Sequence, residues 1–203
     1  MTKSILGLSP IQTSKNLLVG LCGFATSILT AVILLWIEVQ FGFAFYTWMF
    51  WFVIPIGALL SGFAGASGYY FGSLYFGHRP TPRLLLNIII ASISTFFLVY
   101  YLSYITLKIE GKSVSDYISF IKYIDITVRS MEYRFRGSEV GSTGELGKFG
   151  YIVALLQIVG FAVGGFAVYS HLVSKPYCEK CSQYLSGKGK RLRYTGNTEE
   201  MQA

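Results

Sequence analysis

The chain has 203 residues, of which 53% are hydrophobic and only 13% charged, with a net charge of +7. So few charges exclude an ordinary soluble domain and a disordered chain, both of which need more polar surface to stay in water. Three cysteines in this length exclude a disulfide-stapled secreted domain.

The charges are unevenly placed. Every Asp, Glu, Lys and Arg lies outside four stretches, residues 16–37, 39–78, 84–107 and 149–174, which are 22, 40, 24 and 26 residues long. Each exceeds the roughly 20 apolar residues that a helix needs to cross a bilayer core. The first is longer than the apolar part of a signal peptide, about 7–15 residues, and reads as a retained helix. The second is too long for one span, since 40 helical residues would reach about 60 Å. Its early part, with Phe41, Phe43, Phe45, Tyr46, Trp48 and Phe50, has the composition of an interfacial aromatic belt. The crossing helix is therefore predicted over 48–76, bent near Pro55, with 77–83 turning the chain into the third span. The fold class that follows is an all-α integral membrane protein with four transmembrane helices and one extracytoplasmic amphipathic helix. It divides into an N-tail (1–15), spans one to three (16–107), a loop (108–148), span four (149–174) and a basic tail (175–203).

Lys3, Lys15, Arg79, Arg83, Lys175, Lys180, Lys188, Lys190, Arg191 and Arg193 fall on one predicted side of the membrane. By the positive-inside rule both termini are then cytoplasmic, in a bacterial-type inner membrane. The seven other basic residues lie in 108–148 among six acidic ones.

No Asp, Glu, Lys, Arg or His occurs within the four stretches apart from the histidines at their ends, which argues against a proton-coupled pathway. Thr26, Ser27, Asn87, Ser92, Ser94, Thr95 and Gln157 read as packing groups, each worth about 0.6 kcal/mol between helices. Gly57, Ser61, Gly65, Gly68 and Gly72 form one small-residue stripe, and Gly160 with Gly164 begins another. Such faces let helices approach closely, within one chain or between two copies.

In the loop, Val114, Tyr117, Ile118, Ile121, Ile124, Val128, Met131 and Phe135 recur at helical spacing after a Ser113 cap, with Asp125 and Arg129 forming an i,i+4 pair. This helix either lies in the interfacial plane or covers the ends of the spans. The run 137–150 is its glycine-rich return.

Cys178-Glu179-Lys180-Cys181 is the only motif with chemical content. Two thiolates at this spacing can chelate one zinc, and a structural zinc wants four ligands. His171 and His78, predicted on the same face as Cys178 and Cys181, complete one candidate set; the CxxC motifs of two protomers complete another. The motif resembles one half of a zinc ribbon over about 15 residues, with a hairpin expected over 184–194. It does not match the quinone-linked disulfide-forming membrane oxidoreductases, whose second cysteine pair sits in an outer loop, because 108–148 contains no cysteine. Cys22 reads as a packing residue.

No acid, base or nucleophile accompanies the CxxC, so no catalytic residue is expected. The sequence points to a non-enzymatic multipass subunit or scaffold of a membrane-associated complex, with a zinc-knuckle-like cytoplasmic tail. The alternative is an oligomeric pore-forming or membrane-perturbing effector. The expected partners are the lipid bilayer, a second copy or another membrane subunit, and a cytosolic protein at the tail. No direct contact with nucleic acid is expected.

Overall fold

The computed structural model describes residues 10–50, 53–109, 111–132, 144–178 and 183–185, with 10–14 described by backbone alone. The uncharged stretches become four long helices: α1 (Pro10–Phe41), α2 (Ile56–Phe76), α3 (Pro82–Thr106) and α5 (Gly150–Val173). A short helix, α4 (Phe120–Arg129), lies between α3 and α5. Two minimal antiparallel hairpins are also described, β1 (Lys108–Ile109) with β2 (Lys112–Ser113), and β3 (Tyr177–Cys178) with β4 (Gln183–Tyr184). Three segments, Lys15–Phe41, Pro82–Thr106 and Gly147–Val173, are long and apolar enough to cross a membrane. The chain is thus an all-α, multi-span membrane protein.

The turns are specified locally. α2 stops at Gly77, whose φ of 61° is left-handed and whose N–H returns to the Ser73 carbonyl. α3 starts directly afterwards, because Thr81 accepts from the Leu84 N–H at 3.3 Å and Pro82 supplies a preformed first turn. The short α2–α3 connection makes those two helices run antiparallel. One end of the bundle, here the tail end, gathers the start of α1, the α2–α3 turn, the end of α5 and the β3–β4 hairpin. The opposite loop end gathers residues 42–50 and 53–55, the β1–β2 hairpin and α4.

α1 and α5 each pack on α2 and α3, and α2 also touches α3, so α2 and α3 lie across the shorter diagonal of the bundle. Glycine makes this possible. A Cβ on Gly62 of α2 would strike the Phe161 backbone, and one on Gly164 of α5 would strike Leu59 and Phe63 backbone atoms. Across the α1–α2 contact, Thr26 Oγ1 lies 2.9 Å from the Gly65 carbonyl and accepts from the Gly68 N–H at 3.1 Å. Both small-residue stripes are therefore occupied inside one chain.

Three details differ from the sequence reading. Helix α1 runs on through Glu38 to Phe41, which brings a carboxyl group into an apolar span. Pro55 begins α2 instead of bending it. Residue 54 before a proline is driven out of the α region, and the preceding segment folds into a 3-10 turn (Phe45–Thr47) and a tight Phe50–Ile54 bridge. The amphipathic helix is also shorter than its hydrophobic spacing, starting at Phe120. Residues before it are held by Tyr104, whose hydroxyl donates to the Ile118 carbonyl at 2.7 Å. α4 covers the ends of the spans: Tyr123 and Val128 are buried, Tyr104 packs on Phe120 and Tyr123, and Gly150 abuts the Val128 carbonyl.

Candidate functional site

The tail end is where polar groups converge. His78 follows the Gly77 cap and is 9% exposed. Its Nε2 bonds Asn16 Oδ1 at the start of α1. With a carbonyl oxygen as partner, Nε2 carries the proton and Nδ1 keeps its lone pair; that Nδ1 is buried without a partner among the described residues. Burial, and then the charge of Lys15, lowers the His78 pKa below the ordinary histidine value and favours the neutral ring. Around it lies a cavity of about 450 Å³ lined by Asn16, Tyr69, His78, Thr81, Arg83 and Asn87, among others.

The β3–β4 hairpin caps the same turn. Tyr177 donates to the Gly77 carbonyl at 3.0 Å and Tyr184 donates to the His78 carbonyl at 2.8 Å, with the two rings edge to face at 5.0 Å. Burial raises the Tyr184 pKa, so this phenol remains a donor. The register pairs Cys178 with Gln183. Cys181 and most of the hairpin expected over 184–194 lie outside the described residues.

Of the four sequence-predicted ligands, Cys178 is half-buried in β3 and His78 is bonded to Asn16. His171 stacks on Tyr70 with ring centres 5.2 Å apart. Among the described residues, no three His, Cys, Asp or Glu side chains gather around a common point. The hairpin does bring the Cys178 strand against the turn that carries His78, through the Tyr177–Gly77 bond.

At the loop end, Glu38 accepts from Ser103 Oγ at 3.0 Å beside a cluster of Tyr46, Tyr100 and Tyr123. Tyr46 and Tyr100 rings lie 5.6 Å apart, and burial raises the Tyr46 and Tyr123 pKa values. This arrangement packs one end of the bundle. On the outer surface, Asp125 pairs with Arg129 at 2.8 Å and accepts from the Tyr151 hydroxyl, while Arg129 stacks over the Tyr151 ring at 5.8 Å.

Sequence reasoning missed Asn16 and Glu38. Glu38 had a visible signal, as the single charge separating two long uncharged stretches; Asn16 had none, because its role depends on a histidine 62 residues away. Compared with family models, curated proteins and solved structures, the chain matches none.

Proposed function

We infer that this is a four-span, non-enzymatic membrane protein that serves as a subunit or scaffold of a membrane-associated complex, with both ends of the chain in the cytosol. The observation that carries the reading is the seating of the β3–β4 hairpin on the α2–α3 turn through Tyr177 and Tyr184. Two hydrogen bonds from separate strands give the tail a fixed base on the bundle, so a partner that grips the tail is coupled to the membrane helices.

α2 is the fourth span in this reading. Its 21 residues reach about 31 Å, enough for a bilayer core, and its glycine and serine content fits a helix enclosed by three others. Cys178 and Cys181 hold zinc and stiffen the tail, with the remaining ligands supplied by the partner or a second copy. The basic residues Lys188, Lys190, Arg191 and Arg193 stand beside it in sequence, suited to an acidic partner surface or anionic lipid. A pore is less well supported, because both glycine stripes are already filled within one chain.

Native mass spectrometry of protein extracted in mild detergent tests this. A zinc-bearing complex with a soluble protein is expected, lost on deleting 175–203. A metal-free chain with no retained partner, together with ion conductance in liposomes, would overturn it.

A further inference from the structure

At the loop end, exposed apolar side chains continue the outer face of α3. Tyr101 and Ile105 are exposed on that face, and Ile121 of α4 is 81% exposed. The outer face of α3 is a lipid-facing surface, because it belongs to a segment long and apolar enough to cross a membrane. The two surfaces meet where the Phe120 ring packs edge to face on the Tyr101 ring, with centres 5.6 Å apart.

That contact fixes the level of α4. Tyr101 lies five residues before Thr106, the last residue of α3, which is about 7.5 Å back along the helix axis. Helical side chains lean toward the N-terminus of their own helix, so the Tyr101 ring lies deeper still. Phe120 therefore starts α4 beside the last turns of α3, not above them, and acyl chains are the outer neighbours at that level. The backbone sets the opposite limit. Ser119 makes no side-chain cap bond, so the first N–H groups of α4 need water or headgroup oxygens and keep the turn out of the hydrocarbon proper. Between the two limits lies the headgroup–acyl boundary. At 100° per residue, Ile121 flanks the face that buries Tyr123 and Val128, while the exposed Lys122 stands opposite that face.

We propose that the first turn of α4 is a lipid anchor: the Ile121 side chain enters the leaflet at the loop end, at the headgroup–acyl boundary beside Tyr101 and Ile105, while the Lys122 ammonium stays among the phosphates. The occupant of this surface is phospholipid, continuous with the lipid around α3, and no second protein is needed to cover it. The anchor holds one end of the helix whose Tyr123 packs into the Tyr46–Tyr100 cluster. It depends on the spans alone, not on the tail, on zinc or on which side of the membrane the loop end faces, so it goes beyond the scaffold reading and fails separately from it.

The test is electron paramagnetic resonance on the full chain reconstituted in phosphatidylcholine vesicles. With Cys22, Cys178 and Cys181 replaced by serine, one nitroxide is attached at Ile121→Cys or at Lys122→Cys. Both positions are exposed, so neither label disturbs the packing. Oxygen dissolves in hydrocarbon, whereas the polar chelate nickel-EDDA stays in water, and the two relaxants together identify what surrounds each label. The ratio of oxygen to nickel-EDDA accessibility at 121 should exceed that at 122 by about five-fold or more, because the boundary excludes the chelate and admits oxygen. Equal nickel-EDDA accessibility at the two positions would put Ile121 in water and overturn the proposal. Shielding of 121 from both relaxants would overturn it too, because protein, from this chain or a second copy, would then cover the side chain instead of lipid.

Discussion

Ser103 on α3 donates to the carboxyl group of Glu38 on α1 at 3.0 Å, and this bond joins two helices at the loop end of the bundle. Glu38 is the only acidic residue within the three apolar spans. Removing its donor leaves a half-buried acceptor among tyrosine rings. Ser103→Ala should therefore destabilise the bundle by about 1.5 kcal/mol, the low end for a hydrogen bond to a charged group. Glu38→Gln, which keeps an acceptor in place, should cost less. Thermal unfolding in detergent checks the order, and a larger loss for Glu38→Gln would contradict this role for the pair.

Gly164 faces the backbone of Leu59 and Phe63, with no flexible side chain able to yield. Gly164→Leu should force α2 and α5 apart and lower stability by at least about 3 kcal/mol, the upper end of ordinary overpacking. Gly20, whose missing side chain would meet open space, provides the control: Gly20→Ala should be neutral or slightly stabilising. Thermal midpoints of the two variants in one detergent make the comparison.

Gln157 is fully buried in α5, and neither its oxygen nor its nitrogen has a partner among the described residues. An unpaired buried amide costs about 1–3 kcal/mol. Gln157→Leu, of similar length and without polar atoms, should raise the unfolding midpoint. A fall would mean that the amide has a partner in the folded protein, such as bound water.

Asp125 accepts from Tyr151 and pairs with Arg129, and these contacts, Tyr151 first, lower its pKa below the ordinary carboxylate value. A depressed acid stabilises the folded form above its unfolded pKa, and that contribution disappears as pH falls through the lower folded value. Hydrogen-exchange protection of α4, corrected for intrinsic rates, should be constant from about pH 7 to 5 and decline only below about pH 4. Tyr151→Phe should weaken protection and move the decline to higher pH. A decline centred near pH 6 would point to a histidine instead.

Much of the architecture was legible because excluding charge from hydrocarbon is a strong constraint. The gaps around Lys15, Arg83 and Lys148 mark helix starts to within a few residues. The start of α2 was less legible, since aromatic composition does not distinguish a helical belt from the 3-10 turn over Phe45–Thr47 and the Phe50–Ile54 bridge that precede Pro55. The extent of α4 was obscured because Val114 is buried and Ile118 half-buried by contact with α3, in a 3-10 turn and a loop that share the helical spacing. The candidate site was half legible. His78 stood out by type, but its bond to Asn16 and the hairpin over its carbonyl are long-range contacts with no local signature.

The central claim is that tail end and loop end lie on opposite faces of one membrane. In a background with Cys22, Cys178 and Cys181 replaced by serine, single cysteines introduced as Asp116→Cys and Ser174→Cys can be labelled in spheroplasts with a membrane-impermeant maleimide. Asp116→Cys should react at once and Ser174→Cys only after permeabilisation. Labelling of both from the same side would contradict the four-span topology.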